Sequence, residues 1–218
     1  MNQVPTEKNS PMEQRMISLS AVLVLMDGFY NGKRTVIGDT EVILKEGTNP
    51  QKKSNELYAA VNLAGGCYHV TIRSQYYLLK NTTIEIPTST SSSIGETLVK
   101  IPITLQPSPI YPYPENTTLI RGYVFDAVTG LPIGGGKALL LFGKKEHEKA
   151  VINGWGQFVF SFSSIPVKKR VKVVVCAPDY QQTSVDLDIY SEKTTSFRVL
   201  LQKNTNTAEI SISYPEAR

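Results

Sequence analysis

Cysteine and histidine are scarce in this sequence, with two of each in 218 residues. Cys67 and Cys176 stand in opposite halves of the chain. A disulfide-stapled fold needs more of them, closer together. Both lie in apolar, strand-like contexts, Cys67-Tyr-His-Val70 and Val173-Val-Val-Cys176, and cysteine's tendency to bury predicts two buried free thiols. The histidines are His69 and His147. A zinc site needs several His, Cys or carboxylate ligands at set spacing, and His147-Glu-Lys-Ala-Val151 lacks the second histidine of a zincin helix. His69, between Tyr68 and Val70, is expected on the face of a strand. A Gly-x-Ser-x-Gly elbow and a phosphate-binding glycine loop are also missing. The expectation is a protein without catalytic, metal or cofactor residues.

Long apolar runs are missing too. The longest, Met16 to Met26, follows Arg15 and has the length of a signal-peptide core. It leads into Asp27-Gly-Phe-Tyr30, not a small-residue cleavage site, and it falls short of the ~20 residues of a membrane span. It is read as a first strand. The expected location is therefore cytoplasmic, or within an assembled particle, with no membrane span. Asn81-Thr-Thr83 and Asn116-Thr-Thr118 match glycosylation sequons, a pattern common by chance. No stretch keeps a helical period over three turns. Charged residues make up 19% and the net charge is +4, too mild to point to nucleic acid.

Proline, by contrast, is concentrated in mid-chain. Pro107, Pro109, Pro112 and Pro114 alternate with Tyr111 and Tyr113. Each proline fixes φ and lacks a donor, so this run cannot enter a helix or a sheet interior. A stiff, polyproline-like connector is expected. It divides the chain into a disordered tail at 1–16, a first domain at 17–106, the connector at 107–118, a second domain at 119–204 and a tail at 205–218. Each domain is long enough to bury its own core.

In the first domain, strands are expected at Ile17–Met26, Glu41–Lys45, Glu56–Leu63, Cys67–Arg73, Thr82–Ile86 and Thr97–Leu105. Gly47–Lys53 and Ser89–Ser93 are expected as loops, and Pro102 implies an edge strand or a bulge. In the second, strands are expected at Leu119–Phe125, Ala138–Phe142, Gln157–Phe162, Arg170–Cys176, Ser184–Ile189 and Thr195–Leu201. Gly143–Lys149 reads as a charged hairpin tip. Short strands at this spacing specify an all-β chain of two tandem, Ig-like antiparallel β-sandwiches. The punctuation recurs at an offset of about 100 residues: Asp27 and Gly32 with Asp126 and Gly130, Tyr77 with Tyr180, Leu105-Gln106 with Leu201-Gln202. That period is too long for a solenoid and points to a duplicated domain.

The second copy resembles a known family. Ile120-Arg-Gly-Tyr-Val-Phe-Asp126, Thr129-Gly-Leu-Pro-Ile133, Gly154-Trp-Gly-Gln-Phe-Val-Phe160 and Val173-Val-Val-Cys-Ala-Pro-Asp-Tyr180 are similar to the carboxypeptidase regulatory-like domain. Asp179 stands where that family usually has glycine, and Asp tolerates the same left-handed backbone. In the first copy, Asn62-Leu-Ala-Gly-Gly-Cys-Tyr-His-Val-Thr-Ile72 carries a weaker match. The resemblance implies a transthyretin-like sandwich of about seven strands acting as a non-catalytic accessory module, since a fold of this kind does not fix a function. The connector, running into Leu119-Ile-Arg-Gly-Tyr123, resembles accessory proteins of contractile, phage-tail-like injection particles.

Seven residues are candidates for an interaction site. Tyr111, Tyr113 and Trp155 could form a stacking platform for a sugar, or, as the favoured expectation, pack across the joint between the domains. Trp155 follows Asn153-Gly154, a hairpin signal that places it at a tip. Lys168, Lys169, Arg170 and Lys172 form a basic run that could meet an acidic partner or guard a strand edge. The leading expectation is a non-enzymatic structural protein that binds a protein partner or joins a larger assembly. A carbohydrate-binding or adhesion module is the alternative.

Overall fold

The computed structural model describes residues 18–88, 99–162 and 164–204. The expected tails and the loop at Ser89–Ser93 lie outside the described residues. The chain divides into two units, Met1–Pro107 and Ser108–Arg218, and every regular element among the described residues is a strand.

The first unit contains β1 (Leu19–Asp27), β2 (Thr40–Leu44), β3 (Gln51–Lys52), β4 (Leu57–Val61), β5 (Gly66–Ser74), β6 (Lys80–Ile86) and β7 (Lys100–Leu105). The period-two pattern of Leu19–Asp27 buries Ala21, Leu23, Leu25 and Asp27 on one side of β1, as strand geometry requires. One sheet has the order β3-β4-β1-β7 and the other β2-β5-β6. β1 pairs antiparallel with β4 and parallel with β7. Pro102 sits in β7, at the end of its sheet, where a missing N–H costs no ladder bond.

The second unit contains β8 (Thr118–Asp126), β9 (Lys137–Phe142), β10 (Lys145–Val151), β11 (Gln157–Phe162), β12 (Lys168–Cys176), β13 (Thr183–Tyr190) and β14 (Thr194–Leu201). Its sheets are β10-β9-β12-β13 and β11-β8-β14. Again the first strand pairs parallel with the last. The core includes Ile120, Val124, Leu140, Ile152, Phe158, Phe160, Phe162, Val173, Ile189 and Leu201. Gly122 lies opposite Phe158 in the β8–β11 ladder. A Cβ at Gly122 would fall within the Phe158 ring, so the glycine is what lets that ring lie flat on β8.

Several expectations are corrected. The loop at Gly47–Lys53 holds the short strand β3. Gly143–Lys149 is not a long tip: only Gly143 and Lys144 turn, with Gly143 at φ 64°, and the rest is β10. Cys67 is exposed and Cys176 half-buried, both as free thiols, because each faces away from the core on its alternating strand. The proline run is not an extended polyproline segment. Its residues from Ser108 onward belong to the second unit and bend through turns closed by Tyr111 N–H to Ser108 C=O at 3.0 Å, Tyr113 N–H to Tyr111 C=O at 2.9 Å and Thr117 N–H to Pro114 C=O at 3.0 Å. A polyproline helix has no such bonds; the donors come from the non-proline residues between.

Candidate interaction site

Both units fasten the end of their first strand with the same pair of side chains. In the second, Asp126 closes β8 and is buried. Its Oδ1 accepts the N–H groups of Val128 and Thr129, each at 2.8 Å. Its Oδ2 accepts the Tyr180 hydroxyl at 2.8 Å. The backbone N–H groups of Thr129 and Val128, with the Tyr180 hydroxyl, hold the carboxyl down to about 2, since each bond favours the charged form. In the first unit Asp27 accepts Phe29 N–H and the Tyr77 hydroxyl, both at 2.8 Å. The sequence signalled both aspartates and both tyrosines, but nothing in it says that they touch.

In the second unit this clamp fixes a turn with an unusual surface. Gly130 N–H donates to Asp126 C=O at 2.9 Å, and Asp126 N–H to Leu131 C=O at 2.9 Å. The neighbouring β10–β11 turn is held by Asn153, whose Oδ1 accepts Trp155 N–H at 3.0 Å and Gln157 N–H at 2.9 Å. The two turns adjoin: a Cβ on Gly156 would stand 3.2 Å from Pro132. On them Val128 is 90% exposed, Leu131 65% and Trp155 74%. From Ala127 to Gly136 and from Ala150 to Gln157 the sequence carries no charge. This end of the sandwich therefore presents large apolar side chains on two braced turns. Trp155 was legible from Asn153-Gly154; Val128 and Leu131 were not, because nothing local distinguishes an exposed apolar residue from a buried one.

The basic run lies on β12, alongside the acidic strand β13. Lys168, Arg170 and Lys172 stand opposite Tyr190, Asp188 and Asp186 of β13. Lys168 Nζ is 2.8 Å from Asp188. Their hydrogen bond raises the lysine pKa and lowers the aspartate's. Lys169 points to the other side, 3.4 Å above the Phe142 ring, a cation–π contact. Cross-strand placement of this kind stabilises a sheet face, and among the run's side chains it is Lys168 that closes an ion pair with β13.

Tyr111 and Tyr113 lie in the turns before β8, in edge-to-face contact at 4.9 Å. Tyr111 is 3% exposed and offers no stacking face. Arg121 sits 5.8 Å from the Tyr113 ring and donates to Pro109 C=O. His69 pairs with Glu46 at 2.9 Å on an exposed strand face, and His147 stacks on Phe142 at 4.1 Å. Among the described residues no three His, Cys, Asp or Glu side chains are grouped to hold a metal ion, and no helix is long and apolar enough to cross a membrane.

Glu148 is the outlying titratable group. It follows a bulge at His147, where β10 slips by one residue against β9. That slip puts it opposite the fully buried Leu140, on the inner side of the strand. Burial pushes its carboxyl up to about 7.

No protein-family model matches the chain, and no curated protein matches it. Solved structures do. The Bacillus anthracis TIE protein shares 15% identity over 85% of this chain and 34% of its own, with a TM-score of 0.33. A streptococcal ancillary pilin shares 12% over 84% of this chain and 69% of its own, with a TM-score of 0.33. BcpA, the major pilin subunit of Bacillus cereus, shares 10% over 87% of this chain and all of its own, with a TM-score of 0.31. This chain spans about a third of the TIE protein's length. Superposition at this level supports no assignment of family or activity.

Proposed function

We propose that this protein is a non-enzymatic interaction protein in which the second sandwich presents the Val128–Leu131–Trp155 tip to a protein partner, as part of a larger assembly. One observation carries the reading: three large apolar side chains are held in water by turns that their own backbone hydrogen bonds make rigid. Soluble proteins rarely leave such a cluster uncovered without use, and a preorganised aromatic anchor is what a protein interface employs. A sugar platform is less well served, because Oδ1 of Asn153, the polar side chain flanking Trp155, is engaged inside its own turn. The accessory role in a contractile injection particle, implied by the connector's resemblance, is a narrower form of the same proposal.

A photo-crosslinking amino acid at Val128 of the full chain, in its native cells, tests this. The expected result is one discrete protein adduct that Leu131→Glu abolishes. Absence of any adduct, together with glycan binding that Trp155→Ser removes, would replace the reading with the carbohydrate alternative.

A further inference from the structure

The third strand of each sandwich covers a different sheet edge. In the first unit β3 lies on the outer side of β4, with Gln51 opposite Ala59 and Lys52 opposite Tyr58. In the second, the third strand β10 pairs with β9 on the other sheet, and among the described residues β11 ends its own sheet. The registers align the two sites. Leu23 faces Tyr58 and Gly122 faces Phe158, each partner lying four residues before its clamp aspartate. Val159 thus corresponds to Ala59, the residue that β3 covers.

The open edge also lacks the usual guards. Sheet edges are normally blunted with charge, proline or a bulge. Here β10 has its bulge and Lys145, β7 has Pro102, β13 has Asp186 and Asp188, and β14 has Arg198. The end strands β2, β3 and β6 each carry a charge as well. β11, Gln-Phe-Val-Phe-Ser-Phe, has neither charge nor proline, and its register with β8 is unbroken from Gln157 to Phe162.

Its backbone groups can be assigned. Val124 N–H donates to Gly156 C=O, so residues 124 and 156 form a hydrogen-bonded pair. Alternation then turns the backbone groups of Phe158 and Phe160 toward β8 and those of Gln157, Val159 and Ser161 outward. Asn153 takes both groups of Gln157. Those of Val159 and Ser161 remain directed at the free edge.

We propose that β11 is a homotypic docking edge, at which a second copy of this chain pairs its own β11 antiparallel about a two-fold axis. Val159 of one copy lies opposite Ser161 of the other, and each such pair exchanges two backbone hydrogen bonds. The absence of charge argues for a copy as the occupant. Self-pairing at β11 sets no like charges against each other, whereas self-pairing at β13 would bring its aspartates together. The arrangement is isologous, so it closes at two copies and forms no filament.

Analytical ultracentrifugation of the full chain over a range of concentrations tests the proposal. The weight-average mass should rise from 24.1 kDa toward twice that value. Ser161→Lys, which sets two lysines beside the axis, and Val159→Pro, which removes an outward donor, should each restore the monomer while circular dichroism stays unchanged. Ser184→Lys on β13 should still dimerise. A monomer at every concentration overturns the proposal. So does a dimer that survives Ser161→Lys, or one that Ser184→Lys abolishes equally. If Val159→Pro fails to fold, Ser161→Lys alone decides.

Discussion

The two sandwiches share a frame and differ in what the frame leaves open. In each, the first strand pairs parallel with the last and an Asp–Tyr hydrogen bond of 2.8 Å ties the end of the first strand to the turn after the fifth. The first unit covers β4 with β3. It half-buries the aromatics of its first turn, where Arg34 stacks 4.1 Å over Tyr30. The second leaves β11 open and its turn residues exposed. Frame and display are therefore separable: strand pairing and the clamp hold the fold, while the third strand and the turns are free to specialise.

The largest test concerns the exchanged core pair. The first unit places a large residue on the first strand, Leu23, opposite Tyr58, and the second places Gly122 there, opposite Phe158. Leu23 is fully buried, so Leu23→Ala should destabilise the first unit by about 2–5 kcal/mol through the cavity it leaves. Gly122→Ala should cost the second about 1–3 kcal/mol through overpacking, and Phe158→Leu should restore part of it. Hydrogen exchange resolved by unit separates the two effects. Equal losses in both units from either change would mean that they share one core.

The clamps come next. Tyr77→Phe removes a buried hydroxyl that donates to Asp27 and accepts Ile37 N–H and should cost about 1–3 kcal/mol. Tyr180→Phe should cost less, because its hydrogen bond to Asp126 is only partly buried, whereas that of Tyr77 to Asp27 is buried. pH sharpens the contrast. Asp126 titrates at about 2 when folded against an ordinary 3.8. A lowered acid pKa gives stability that is present above the unfolded value and is lost as pH falls through the folded one. Acid titration of the second unit should show that loss between about pH 4 and pH 2, and Tyr180→Phe should shrink it. An unchanged acid profile in the variant would remove the tyrosine from the clamp.

These clamps mark how far the sequence could be read. Alternation along Leu119–Asp126 or Gln157–Phe162 announces strands, because each side chain's face is fixed locally. The recurrence of Asp and Tyr at matching offsets announced two similar units. Pairing partners were not legible: β10 and β3 occupy the same place in the order, yet neither Lys-Glu-His-Glu-Lys nor Gln-Lys states which sheet it will join. That choice depends on non-local register and on the bulge at His147. The surroundings of the basic run were hidden for a related reason, since the aspartates that face it lie on the next strand and become neighbours only through the β12–β13 pairing. The proline run misled because fixed φ at four residues does not determine the residues between them.

Glu148 offers a smaller effect of opposite sign. Its carboxyl titrates near 7 when folded against an ordinary 4.5. A raised acid pKa means that the folded state keeps a proton the unfolded chain has lost, so stability declines as pH rises from the unfolded value to the folded one and stays low beyond it. The side chain retains part of its hydration, which reduces the full linkage. Glu148→Gln should therefore stabilise the second unit by about 1–2 kcal/mol at pH 8 and by little at pH 4. The first unit's third strand, Gln51–Lys52, has no inward carboxylate, so its stability should not share this dependence. A variant equally stable at both pH values, relative to wild type, would place Glu148 in water.

The smallest expected effect is also the most diagnostic of the display. Trp155 is the chain's single tryptophan and stands 74% exposed. Its backbone is held by Asn153, but its ring contributes little to the core. Trp155→Ser should therefore change stability by no more than about 0.5 kcal/mol. Phe29→Ser, on the half-buried first turn of the other unit, should cost more, because its ring packs edge to face on Tyr30 at 4.8 Å. Intrinsic fluorescence provides an independent reading. The emission of the folded protein should resemble tryptophan in water, quench readily with acrylamide and shift hardly at all on unfolding, while circular dichroism records the melt. Emission that moves to the red on unfolding would mean that the ring is covered in the native protein. The tip would then be a closed part of the fold, and the contrast between the first turns of the two units would be lost.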